Sequence, residues 1–284
     1  MKKSNWGYKG LADWARGDTA YLSAVFSWNM DDVYQKAIWY KSMGYKVIAG
    51  GPAVMMNREY LSGVAEIGEN YEDAIRKHNP NATYTSRGCL RKCEFCVVPK
   101  IEGDLVELAE WPVRPIICDN NLLACSKKHF DGVVDKLGGV SGVDFNQGLD
   151  ARLMTKYHVD RLMELDLSVL RLAWDHTKME KQFMRAFEMI VNAGFPAKKI
   201  RVYVLIGWRD NPEDALYRLE TVKNLGAYPN PMRFQPLGSK RKNEYVGENW
   251  TDRELKRYAR YWSRLSYLEH VPFSEYDQSK FRRS

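Results

Sequence analysis

Arg87-Gly-Cys-Leu-Arg-Lys-Cys-Glu-Phe-Cys-Val-Val-Pro99 places three thiols, Cys89, Cys93 and Cys96, at C-x3-C-x2-C spacing within one short loop, with an aromatic immediately before the last. The loop is too short to serve as a hydrophobic element. Three thiolates this close can ligate three irons of a cubane cluster. The fourth iron is then left without a protein ligand, free to bind and activate a small molecule. The spacing therefore points to chemistry as well as to metal. By spacing alone a zinc site also stays in view, but tetrahedral zinc needs a fourth ligand and none lies nearby in the sequence.

Downstream of this loop, short apolar strands alternate with amphipathic helices. Thr83-Tyr84-Thr85 leads into the loop. Strands are expected at Pro115 to Cys118, Val143 to Asn146, Leu167 to Ala173, Ile200 to Ile206 and Met232 to Pro236. Helices are expected from His129 to Leu137, Lys156 to Leu165 and Met179 to Ala193, and from Asn211-Pro-Glu-Asp214, a helix start with proline in its first turn. About six such repeats imply an α/β fold whose parallel sheet curls into a full or partial (β/α)6 barrel. Ligands of such folds bind at the carboxyl ends of the strands. Those ends here carry Asp119-Asn120-Asn121, Asn146-Gln147, Trp174-Asp175-His176 and Gly207-Trp208-Arg209-Asp210.

Upstream, Thr19 to Ser27 reads as a strand, Asp31 to Met43 as a helix stopped by Gly44, and Lys46 to Ala49 as a buried strand closed by Gly50-Gly51-Pro52. This is a single βαβ unit, followed from Asn57 to Asn81 by a linker helix and loop. Beyond the repeats, Trp250 to Leu268 reads as a helix capped by Thr251 or Asp252. Its Lys256, Arg257, Arg260 and Arg264, interleaved with Tyr258, Tyr261 and Trp262, form either a base-stacking, phosphate-binding face or an ordinary solvated helix with an aromatic inner side. The expected organisation is a small N-terminal unit over 1–79, a barrel core over 80–240 and a C-terminal helical extension over 241–284.

The chain has 284 residues, 45% of them hydrophobic, enough for a substantial core. No apolar run approaches the ~18 residues of a membrane span. The opening Met1-Lys-Lys-Ser-Asn-Trp-Gly7 lacks the apolar core of a secretory signal, so a cytoplasmic protein with no membrane partner is expected. Of five cysteines three share one loop, which suits metal ligation in a reducing compartment better than a disulfide framework. A net charge of +7 suits an anionic partner such as a nucleic acid or a nucleotide, although many soluble proteins are this basic.

A C-x3-C-x2-C loop after the first strand of a β/α barrel resembles the radical S-adenosylmethionine (SAM) superfamily, and the resemblance runs from about Tyr84 to Leu237. The string Cys93-Glu-Phe-Cys-Val-Val-Pro99 looks like the cluster loop of the methylthiotransferases. Those enzymes carry a second cluster on three further cysteines, whereas only Cys118 and Cys125 remain here. The N-terminal unit with Gly50-Gly51-Pro52 is similar to the end of a cobalamin-binding domain. It lacks the D-x-H-x-x-G loop that ligates cobalt and reads as a truncated remnant.

The resemblance implies an oxygen-sensitive enzyme whose Cys89, Cys93 and Cys96 hold a 4Fe-4S cluster that binds SAM and cleaves it reductively to a 5′-deoxyadenosyl radical. It also implies an electron donor such as flavodoxin or ferredoxin. Carried onto this sequence, Phe95 lies beside the adenine, Asp119, Asn120 and Asn121 hold the methionine amino group, and Arg171 meets the methionine carboxylate or makes a strand-flanking ion pair. Asn146, Gln147 and Asp150 hold the ribose hydroxyls or serve as turn caps. Ile206 and Gly207 pack near the adenine, with Gln235 at the barrel mouth. Toward the substrate, Asp175 and His176 are candidate acid or base groups. Cys125 is a candidate thiol hydrogen donor or else a small buried hydrophobe. The substrate expected is a nucleic-acid base or nucleotide. A cobalamin-dependent methylase of a peptide or small metabolite and a non-catalytic Fe-S nucleic-acid-binding module stand as alternatives.

Overall fold

The structure is a computed structural model and describes residues 10–68 and 74–277. The opening stretch read above for a secretory signal, and part of the expected linker, lie outside the described residues. The chain begins with strands β1 (Leu11–Arg16) and β2 (Thr19–Ala24), which pair antiparallel across a two-residue turn with Gly17 at φ 59°. This hairpin was not anticipated, because Leu-Ala-Asp-Trp-Ala-Arg shows no period-two alternation. A positive φ at the first turn residue matches the twist of a tight hairpin. Helix α1 (Met30–Ser42) buries Met30, Val33, Ala37 and Tyr40 at helical spacing and carries Asp31 and Asp32 at its positive N-terminal end. Strand β3 (Lys46–Gly50), helix α2 (Pro52–Met56), strand β4 (Glu66–Ile67) and helix α3 (Ala74–His78) complete the unit. Its sheet has the order β1-β2-β3-β4, parallel from β2 onward, over a core of its own that includes Leu22, Val33, Val47 and Leu61.

Next come β5 (Ala82–Thr83), β6 (Ser86–Arg87), α4 (Val98–Ile101) and β7 (Val106–Glu107). Strands β6 and β7 pair antiparallel, Ser86 opposite Glu107 and Arg87 opposite Val106, and so staple the two ends of the cysteine loop together. The alternation then runs through β8 (Ile116–Ile117), α5 (Lys127–Leu137), β9 (Ser141–Phe145), α6 (Lys156–Leu162), β10 (Asp166–Leu167), β11 (Leu170–Ala173), α7 (Glu180–Asn192), β12 (Ile200–Ile206), α8 (Pro212–Asn224) and β13 (Tyr228–Arg233). It closes with α9 (Asp252–Trp262) and the short α10 (Leu265–Leu268).

The strands form two parallel sheets, β10-β9-β8-β5 and β11-β12-β13. A parallel bridge between Leu149 and Leu172 joins them. Among the described residues no pairing links β5 to β13, so the array is not a closed barrel. Several expected strands differ in their limits, and two have a clear physical reason. The stretch from Leu167 to Ala173 divides into β10 and β11, because the chain leaves β9 with a register shift and then pairs with β12. Strand β13 begins at Tyr228 despite Pro229 and Pro231. It is an edge strand, where a residue without an N–H can face away from the ladder at no cost in hydrogen bonds.

One large core joins α5, α7, α8 and α9 to these sheets. The amphipathic C-terminal helix turns Leu255, Tyr258, Tyr261 and Trp262 inward. The Tyr258 hydroxyl donates to the Pro212 carbonyl (2.8 Å) and that of Tyr261 to the Val271 carbonyl (2.6 Å), while the Arg257 guanidinium donates to the Tyr276 carbonyl (3.2 Å). Those rings are therefore not a base-stacking face. Thr251 is the cap, accepting from Glu254 N. Among the described residues no helix is long and apolar enough to cross a membrane.

Candidate active site

Every parallel strand of the two sheets ends on the same side, and the cysteine loop lies across those ends. Its path is set by Gly88, whose φ of 72° and position 2.0 Å (as a built Cβ) from the Asp104 carbonyl admit no side chain. It is also set by Glu102, which accepts from Arg87 Nη2 (2.6 Å), Gly88 N (2.9 Å) and Asn120 Nδ2 (2.6 Å). One carboxylate thus ties the start of the loop, its return and the turn after β8. Asp119 adds a second tie, accepting from Thr85 N (2.6 Å) and from the Thr85 hydroxyl. Burial raises the Asp119 pKa, partly offset by those Thr85 bonds.

The three thiols are half-buried. Cys89 Sγ accepts from Arg91 N (3.3 Å) and Asn121 Nδ2 (3.6 Å), a Cys96 N–H bond closes onto the Cys93 carbonyl (3.0 Å), and the Val98 amide faces the Cys96 sulfur. Burial pushes both the Cys93 and Cys96 thiols up. The Arg152 guanidinium at Cys93 and the Val98 N–H at Cys96 work in the opposite direction. Among the described residues no group of three His, Cys, Asp or Glu side chains converges closely enough to hold a metal ion. The donor set itself fits a thiolate cluster: soft ligands in one loop, with N–H groups and a cation directed at sulfur, the usual outer shell of Fe-S ligation.

The turns opposite the loop bring further groups to it. Asp150, after β9, receives Arg152 at both oxygens (Nε–Oδ1 2.6 Å, Nη2–Oδ2 3.0 Å), Arg91 Nε (3.2 Å) and Asn121 Nδ2 (3.3 Å). Burial works to raise the Asp150 pKa, but the Arg152 bonds, with Arg91 beyond them, outweigh it and hold the carboxyl below its usual range. The Asn121 side chain is buried, and its Oδ1 has no hydrogen-bond partner. Glu94 pairs with Arg209 (2.6 Å), whose φ is +48°, and Phe95 meets Trp208 edge to face at 6.4 Å. The loop after β5 therefore reaches the turn after β12.

Beneath that far turn lies a fully buried arginine. Arg218, on α8, donates to the carbonyls of Trp174 (3.0 Å), Asp175 (3.1 Å) and Leu205 (2.9 Å) and to Asp210 Oδ2 (2.7 Å). Asp210 Oδ1 accepts from Gly207 N (2.9 Å), Trp208 N (3.1 Å) and Trp250 Nε1 (3.0 Å). This network fixes the strand ends that present Asp175 and Trp208. The sequence gives one clue to it: Asp210 and Arg218 flank the start of α8, two turns of helix apart.

The structure assigns several expected site residues elsewhere. Arg171 forms a bidentate pair with Asp144 (2.6 and 2.7 Å) and also donates to Tyr203 (3.0 Å), inside the sheet. It is the strand ion pair, and its guanidinium is not open to a ligand carboxylate. The Ile206 side chain is core. Gln235 closes a loop by exchanging hydrogen bonds with Asn243 (both 3.0 Å). The Asn146 carbonyl accepts from Tyr203, and Gln147 is exposed. Cys118 and Cys125 are pushed up by burial, to about 12 and about 11, so both are neutral thiols. His176 is exposed, and burial, then Arg152 and Arg218, lower its pKa. Arg91, Arg152, Glu102 and Arg218 were not singled out in the sequence.

Asp175 is pushed up to about 6, chiefly by burial, against the pull of Arg152 and Arg218. Its folded pKa exceeds the unfolded value, so the protonated form is favoured on folding. That contribution is complete below about pH 4 and is lost as pH rises through about 6. Asp175→Asn removes the loss. The variant is expected to melt on the order of 2–4 °C above the wild type at pH 7.5, with the gap closing at pH 4. Differential scanning fluorimetry across that range checks it, and an equal offset at both pH values contradicts it.

No family model matches the chain, and no curated protein matches it. Among solved structures the chain is similar to coproporphyrinogen III oxidase (HemN) from Escherichia coli, described as a radical SAM enzyme. The TM-score is 0.38 and the identity 10%, over 55% of this chain and 40% of that one. The chain thus spans less than half the length of that structure.

Proposed function

We propose that this chain is a radical SAM enzyme whose 80–240 region, a partial barrel, carries one 4Fe-4S cluster on Cys89, Cys93 and Cys96. The observation that carries the reading is the placement of those thiols: one stapled loop, lying over the strand ends, with N–H groups and Arg152 directed at sulfur. When bound, the cluster supplies the electron that cleaves the sulfonium of SAM and yields a 5′-deoxyadenosyl radical. The protein's own groups do the binding. Asn121 Oδ1, buried and unpartnered, accepts an N–H of the methionine ammonium. Arg91, held on Asp150 through Nε alone, provides the cation for the methionine carboxylate that Arg171 does not, while Arg152 stays committed to Asp150 and the Cys93 sulfur. Phe95 and Trp208 wall the adenine side. Asp175, pushed up to about 6 and mostly ionised at neutral pH, takes a proton at the substrate.

A flavodoxin- or ferredoxin-like protein donates the electron, and the substrate is a nucleic-acid base or nucleotide, in keeping with the net charge of +7. Low-temperature EPR of the anaerobically reconstituted, dithionite-reduced chain tests the binding step. A cubane signal whose shape changes on adding SAM is expected. A signal indifferent to SAM would refute an open iron and leave a structural cluster.

A further inference from the structure

On one flank of the strand ends, the N-terminal unit and the loop after β13 build a surface that none of the roles above uses. Gln235 and Asn243, the latter at φ +61°, close the loop at its base. Its crown presents Lys240, Arg241 and Lys242, all exposed. Among the described residues no carboxylate lies within ion-pair distance of these three. The loop is seated on the N-terminal unit, since the Ser27 hydroxyl donates to the Ser239 carbonyl. Lys240 stands over the Tyr60 ring (5.6 Å) and Lys242 over the Trp28 ring (5.9 Å). Trp28 in turn stacks on Phe26, 4.2 Å between centroids and 15° between planes. The other end of the loop joins the mouth directly, through Phe234 against Trp208 at 4.5 Å and Trp208 against Phe95 of the cysteine loop.

Lys240 and Lys242 each stand over an aromatic ring, with exposed Arg241 between them in the chain, and the surface is continuous with the cysteine loop. We infer that this surface, Lys240, Arg241 and Lys242 with Trp28 and Tyr60, binds a single-stranded nucleic acid and feeds one of its nucleotides to the strand-end site. The inference rests on the radical SAM reading for the second clause only. Phosphates draw Lys240 and Lys242 off the Tyr60 and Trp28 faces they cover, and unpaired bases stack in their place, the two contacts that strand-tracking surfaces combine. An acidic peptide meets the same cations but offers no flat group to replace them on the Tyr60 and Trp28 rings. The N-terminal unit thereby gains a role as one wall of the substrate path.

The test is fluorescence anisotropy of a labelled 20-nucleotide single strand with the full-length chain, read at several salt concentrations without cluster reconstitution. The triple variant Lys240→Glu, Arg241→Glu, Lys242→Glu is expected to bind about tenfold or more weakly. Its salt slope should be smaller by about 2, since each lost phosphate contact on a single strand removes about 0.7. Trp28→Ala is expected to lose about five- to a hundredfold with an unchanged salt slope, and Trp28→Phe to restore most of it. Circular dichroism confirms that the variants are folded. Lys198→Glu, Lys199→Glu, at the opposite ends of the strands, should bind as the wild type. The inference is overturned if the triple variant binds normally, if the Lys198/Lys199 variant loses as much, or if poly-glutamate competes as well as unlabelled oligonucleotide. If SAM cleavage is detected but these variants bind normally, only this inference fails. If binding maps to this surface but SAM is never cleaved, the binding stands and the enzyme reading fails.

Discussion

Cys96→Ala is expected to take the iron content of the reconstituted protein to background and with it all 5′-deoxyadenosine formation. The three thiols have no substitute, because the other two cysteines are committed elsewhere: Cys118 is buried in a small cluster with Ile75, Ala82 and Ile116, and Cys125 packs against the large core. Removing one of three ligands leaves two protein-bound irons in a cubane, too few to retain it against chelation. Cys96 is itself half-buried on a loop and belongs to neither core, so the apo variant should unfold within about 0.5 kcal/mol of wild type. Cys118→Ala supplies the contrast, losing stability through its small cavity while keeping iron. Burial raises the Cys93 and Cys96 pKa values, and iron must displace those protons, so iron uptake by the wild type should improve as pH rises from neutral to mildly alkaline. Iron and sulfide analysis of the two variants settles the assignment, and iron retained by Cys96→Ala contradicts it.

The second large effect belongs to Arg218. Arg218→Met conserves most of the aliphatic volume but strands the buried Asp210 carboxylate and removes the donor shared by the Trp174, Asp175 and Leu205 carbonyls. Breaking a buried pair from one side costs roughly 3–5 kcal/mol, a fall in melting temperature on the order of 10 °C here. Burial also lowers the Arg218 pKa, with Asp210 opposing that shift, so the pair is mutually dependent. Asp210→Asn in the Arg218→Met background should therefore cost less than the two single changes added together. Because the same guanidinium aligns the turns that bear Asp175 and Trp208, the surviving variant should also lose SAM affinity. A melting shift within 2–3 °C of zero, measured by scanning calorimetry, contradicts the role assigned to the network.

Much of this molecule is written in local sequence. Asn211-Pro212 and Thr251 cap their helices as such residues should, and the run at 200–206 is a strand because Ile200, Val202, Val204 and Ile206 are β-branched and buried. The rest is decided by partners distant in the chain. The sequence leaves Arg171 open between a ligand group and a strand ion pair, and Asp144, far off in the chain, decides for the pair. Arg91 and Arg152 carry no local signature, and only Asp150 gathers them beside the cysteine loop. Glu102 and Arg218 matter through partners distant in the chain: Glu102 gathers Arg87, Gly88 and Asn120, and Arg218 gathers three carbonyls and Asp210. The β1–β2 hairpin lacks alternation because its outer strand is an edge, so half-exposed on both faces that neither periodicity shows.

The most direct test of the account is chromatographic. The chain is reconstituted anaerobically with iron and sulfide, reduced with dithionite, supplied with SAM and assayed for 5′-deoxyadenosine and methionine. The account predicts both products in equal amounts, absent without reductant and absent from Cys96→Ala. An intact cluster that leaves SAM uncleaved under those conditions would contradict it.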